Sequence, residues 1–153
     1  MGAAILALAA TAGAHHSIAG MYDASRNATI EGVVAEFQFI NPHPIVVVDV
    51  RRGDATERWQ MEMDNRRELV EIGVTETTLK PGDRIVVYGS PARREMRRLY
   101  IRRLDRPADG FGYDQVGTRP SLRHRSMTGS TLPRRFTTPI TDSGARGTGV
   151  ASS

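Results

Sequence analysis

The sequence predicts a mainly β fold, a small five-stranded barrel with one short helix between strands three and four, on three observations. Five runs rich in β-branched and aromatic residues lie between positions 28 and 104. One stretch of helical spacing, after Met63, separates the third run from the fourth. The alternation of the first run slips phase at Gly32, where a bulge would bend the strand so that it serves both halves of a barrel.

Strand one is expected over about Ala28 to Ile40, with Ile30 on one parity and Val33, Ala35, Phe37 and Phe39 on the other. Asn41-Pro42-His43-Pro44 must turn the chain, because each proline lacks an N–H donor and fixes φ. Strand two, Ile45 to Arg51, is apolar on both parities until Asp49, the pattern of a covered central strand. Arg52-Gly53-Asp54-Ala55 forms a turn. Strand three alternates cleanly, with Trp59, Met61 and Met63 inward and Arg58, Gln60 and Glu62 outward. Asp64 is expected to cap the helix and Gly73 to follow its end, while Leu69, Val70 and Ile72 give it an apolar side. Leu79-Lys80-Pro81-Gly82-Asp83 is a tight turn into strand four, Arg84 to Gly89, and strand five covers Leu99 to Leu104. Strand, strand, strand, helix, strand, strand with a bulged first strand is the order of an OB-like Greek-key barrel. A plain antiparallel α+β sheet is the alternative.

Composition divides the chain into three parts. Residues 1–14 read as the apolar core and small-x-small cleavage site of a secretory signal, Ala12-Gly13-Ala14. The run is too short to span a bilayer. Because no Lys or Arg precedes it, the expected start lies further upstream. The mature chain is then exported, periplasmic or secreted, and not membrane-spanning. The barrel domain is expected over 15–106. Of the remaining 47 residues, 24 are Gly, Ser, Thr or Pro and seven are Leu, Ile, Val or Phe. So little apolar surface predicts a disordered tail over 107–153.

The net charge is +4, but 15–106 carries only +1, which argues against nucleic acid as a partner. The absence of cysteine excludes disulfides and thiolate metal sites. Ser17, Ser90 and His124 lack the context of a hydrolase motif.

Ala14-His15-His16-Ser17, Glu31-Gly32, Asn41-Pro42-His43 and Leu79-Lys80-Pro81-Gly82-Asp83, in that order, resemble a family of small exported bacterial proteins of unknown function. The similarity covers roughly residues 14 to 112. It implies export and this fold, and it implies no activity or catalytic residue. The chain departs from the family at Arg93-Arg94-Glu95-Met96-Arg97-Arg98, where a glycine is usual, and in its long tail.

Two constellations carry possible chemistry. Cleavage after Ala14 would make His15 the N-terminus, and its amine and ring form one chelate for copper, nickel or zinc. His16 and His43 would complete the metal set, with Asp23 and Asp49 as further oxygens. The bland alternative is a mobile start and a histidine that caps a turn. The second constellation is Arg93, Arg94, Arg97, Arg98 and Arg102 with Tyr88 and Tyr100, a surface for an anionic polymer or a protein partner. Its bland alternative is a solvated hairpin. Trp59, Met61 and Met63 fit a core stripe better than a copper stripe. The reading is a small exported binding or accessory module, possible as a copper protein. A small oxidase-type enzyme built on an N-terminal histidine site ranks last.

Overall fold

The computed structural model describes residues 18–117 and 119–124. Residues 1–14, His15, His16 and the tail from 125 onward lie outside the described residues. Among the described residues, a helical turn over 18–21 precedes these elements in order: β1 (Ala28–Gln38), β2 (Ile45–Arg52), β3 (Ala55–Glu62), α1 (Arg66–Glu71), β4 (Arg84–Pro91), β5 (Arg98–Arg106), β6 (Phe111–Val116) and β7 (Arg119–His124).

The first five strands close into the expected OB-like barrel. β1 pairs antiparallel with β4 through its first half and with β2 through its second half. β2 pairs with β3, β4 pairs with β5, and a parallel pairing of β3 with β5 seals the ring, with Met61 opposite Leu99. A strand that pairs on both sides along different halves must bend, and β1 does so by a register shift between Val34 and Glu36. The bulge is therefore not at Gly32, as the phase slip suggested. Gly32 answers a different need, since a Cβ there would lie 2.5 Å from Val48 Cγ1 and 2.7 Å from Asp49 O. Glycine lets β2 approach.

Val34, Val46, Val48, Met61, Met63, Leu69, Ile85, Val87, Leu99, Ile101 and Leu104 fill the interior. Trp59 is half-buried against this core. Asn65, one residue later than expected, caps α1 by accepting from Arg67 N at 2.9 Å. Asp64 is buried instead. Leu69 faces the core, whereas Val70 is exposed, so the apolar side is narrower than expected. The Lys80-Pro81-Gly82-Asp83 turn is pinned to β1 by paired backbone bonds, Val34 N to Asp83 O and Gly82 N to Val34 O, both 2.8 Å. Gly82 takes φ +94°, a conformation that other residues rarely adopt.

The domain does not end at Arg106. β6 pairs with β5 and β7 with β6, which extends the sheet to residue 124. Phe111 and Tyr113 are buried against the barrel, and Tyr113 is fully so. Low overall apolar content concealed these two aromatics at period-two spacing.

Candidate functional site

One end of the barrel holds a buried polar cluster, built where β3 runs into α1. Glu62 was expected to face solvent, yet it is 7% exposed, and Asp64 is 6% exposed. Glu62 is enclosed because β3 is flanked there on both edges and Tyr22 covers its outer side. Tyr22 Oη donates to Glu62 Oε2 at 2.6 Å, and Arg98 donates to both, at 3.0 Å to Tyr22 and 3.3 Å to Glu62. Asp64 accepts from the phenols of Tyr100 and Tyr113, the latter at 2.9 Å. The Tyr22 and Tyr100 rings lie 5.5 Å apart.

Burial, reinforced by the neighbouring carboxylate, pushes all three phenols well above the ordinary tyrosine value. The hydrogen bond to Glu95 leads the causes that push the Arg98 guanidinium upward, against the cost of burial. Protonated phenols thus serve as donors to buried carboxylates, the arrangement that satisfies both.

His43 borders this cluster. The Asn41-Pro42-His43-Pro44 turn is held from both sides, by Arg66 N to Pro42 O at 2.8 Å and Met63 N to Pro44 O at 2.9 Å. His43 Nδ1 lies 3.0 Å from Met63 O and 4.0 Å from Glu62 Oε1. A carbonyl only accepts, so the geometry assigns the proton of the neutral ring to Nδ1. Nε2 then carries a lone pair. It is buried and, among the described residues, has no hydrogen-bond partner. Among the described residues no three His, Asp or Glu side chains converge to hold a metal by themselves, so His43 offers one ligand rather than a complete site. Asp23 and Asp49 are turned to other partners: Asp23 accepts from Ser25 and faces Arg93, and Asp49 forms two bonds to Arg58.

The arginine constellation is dispersed. Arg93 pairs with Asp23 at 3.6 Å and Arg97 with Glu57 at 3.5 Å. Arg98 turns inward to Glu62 and Glu95. Arg102 lies over the Tyr100 ring at 4.8 Å and bonds Gln115. Tyr100 is buried between Tyr22 and Arg102, so it presents no face to a base or sugar. Tyr88 is exposed on β4, and Arg94 has no ion pair among the described residues.

A cleft of about 510 Å³ lies away from His43, between the loop after α1 and β6. Arg106, which lines it together with Lys80, is already held by Asp83, Asp109 and the Thr78 carbonyl. Among the described residues no helix is long and apolar enough to cross a membrane.

Sequence reasoning found His43 but missed Tyr22, Glu62, Asp64 and Tyr113. The available signal was Glu62 and Asp64 at i, i+2 spacing, on the face opposite two buried methionines. No curated protein and no solved structure matches the chain. A family model does match, over residues 4–99, a span that takes in His15, His16, His43 and the Lys80-Pro81-Gly82-Asp83 turn, and the chain belongs to that family of unknown function, DUF6152.

Proposed function

We propose that the protein is a small exported binding module that takes a transition metal, copper first among them, with His43 Nε2 as the ligand contributed by the barrel. The observation that carries this reading is the buried His43 Nε2, which has no partner among the described residues. A bare lone pair enclosed by protein costs about 1–3 kcal/mol unless something meets it. Its ring is already oriented by Nδ1–H donating to a backbone carbonyl, the arrangement that commonly fixes a metal-bound histidine.

One barrel ligand needs others. The amine and ring of His15, with His16, would supply an all-nitrogen set suited to Cu(II). His16 precedes Tyr22 by six residues. Residues 18–21 form a helical turn, with Tyr22 N donating to Ile18 O at 2.9 Å, so only the two steps from His16 to Ile18 can extend, a reach of about 7 Å. Tyr22 Oη and His43 Nδ1 approach the two oxygens of the same Glu62 carboxylate, at 2.6 and 4.0 Å, so the side chain that anchors the N-terminal segment ends beside the His43 ring. The arginine surface has less support, because most of its members are already paired.

A Cu(II) titration tests the reading. The chain beginning at His15 should bind more tightly than one carrying an extra N-terminal Met. His43→Ala should weaken binding at least tenfold, about 1.4 kcal/mol. Equal affinity for the two starts would remove the amine from the site, and an unchanged His43→Ala would remove the barrel.

A further inference from the structure

We infer that the cleft between the loop after α1 and the β6–β7 hairpin binds a small amphipathic monoanion, a carboxylate on a short apolar body, with Lys80 as its anchor. The inference does not depend on the metal reading, because the cleft lies away from His43.

Three separate stretches of chain wall this cleft, and one guanidinium ties them together. Arg106, at the end of β5, donates through Nη1 to Thr78 O at 2.7 Å and to Asp83 Oδ2 at 2.6 Å. Its Nε and Nη2 reach the two oxygens of Asp109 at 3.0 and 2.8 Å. The loop after α1, the Lys80-Pro81-Gly82-Asp83 turn and the turn into β6 are therefore fixed to a single group before any ligand arrives. Asp109 also accepts from Phe111 N at 3.1 Å, and Asp83 from Lys80 N at 2.9 Å. A site whose walls are already in place loses less entropy on binding. The volume of about 510 Å³ falls within the range of small-molecule clefts, roughly 300–1,000 Å³.

The lining selects the ligand. Phe111, Leu122 and Ala108 supply an apolar wall. The two carboxylates and the Arg106 guanidinium are committed to one another. Lys80 differs: it is exposed, lines the cleft and makes no ion pair among the described residues. Thr77 adds a hydroxyl that can donate to the same ligand atom. The unspent polar groups are thus donors, one of them charged, and they suit an anionic head. One ammonium matches one negative charge, which favours a carboxylate over a phosphate dianion. The apolar wall then takes the body of the ligand.

Lys80 is the single lysine of the chain, so its side-chain NMR signals stand alone. With hexanoate as the probe, titration of the full chain should shift those signals together with the amides of Phe111 and Leu122. Acetate carries the head without the body, and 1-hexanol the body without the head. Each should bind at least tenfold more weakly than hexanoate. Lys80→Gln, at an exposed position, keeps the backbone bond to Asp83 and should lower hexanoate affinity at least tenfold, to the level of 1-hexanol. Arg94→Gln removes a cation of the β4–β5 loop and should leave that affinity unchanged. Hexanoate that leaves the Lys80 and Phe111 signals unmoved, or binds Lys80→Gln as tightly as the unchanged protein, would overturn the site. Acetate binding as tightly as hexanoate would also overturn it, by reducing the contact to a surface ammonium meeting an anion.

Discussion

At the scale of single residues, the barrel end is organised by two buried carboxylates that composition alone would place on the surface. Glu62 and Asp64 follow Met61 and flank Met63, so one side of this short stretch is core and the other is a network of phenols. Asp64 accepts two phenolic hydrogen bonds, from Tyr100 and Tyr113. Asp64→Ala should therefore cost about 3 kcal/mol, by leaving two buried donors unpaired. Asp64→Asn, which keeps an acceptor, should cost less. Urea denaturation measures both, and an Ala variant within about 0.5 kcal/mol of the unchanged protein would place Asp64 outside the network. His43 was legible as a residue of interest because it sits between two prolines in a chain with four histidines. Its tautomer and its open nitrogen were not legible, since both depend on the Met63 carbonyl twenty residues away.

At the scale of elements, local pattern and tertiary pairing divide the outcome. The strands, the helix position and the turns were readable because period-two alternation, paired prolines and Lys80-Pro81-Gly82-Asp83 are local signals. The bulge was misplaced because a glycine can serve either a bulge or a close approach, and only the position of Val48 decides between them. Glu62 was expected in solvent because alternation along β3 says nothing of Tyr22 packing over its outward face. The β6–β7 hairpin was lost in the polar composition that follows Arg106. Its role gives a clear prediction. A chain ending at Arg106 loses the Tyr113 ring and its bond to Asp64, and should be destabilised by about 3–5 kcal/mol, the usual cost of deleting a buried aromatic. Thermal unfolding that matches the full chain would mean that the hairpin adds nothing to the barrel.

At the scale of the whole molecule, the buried phenols link stability to alkaline pH. Tyr22, Tyr100 and Tyr113 all have pKa values raised by burial and then by the adjacent carboxylates. A phenol raised by folding adds stability fully below the ordinary tyrosine value of about 10, and that stability is lost as pH climbs above it toward the folded value. The protein should therefore hold its stability up to about pH 10 and lose it steeply beyond. Most of the phenolate absorbance should appear together with unfolding. Phenolate absorbance that rises for all four tyrosines while the β-sheet circular dichroism is unchanged would contradict this burial.

The same fold that encloses the phenols also encloses His43 Nε2, which has no partner among the described residues. The most direct measurement is nitrogen-detected NMR of the His43 ring, first without metal and then with Zn(II), which leaves the signals sharp. The account predicts a proton on Nδ1, an unprotonated Nε2 in the metal-free chain, and a large shift of Nε2 alone when Zn(II) is added to the chain beginning at His15. A proton on Nε2 in the neutral ring, or an Nε2 signal that Zn(II) does not move, would contradict it.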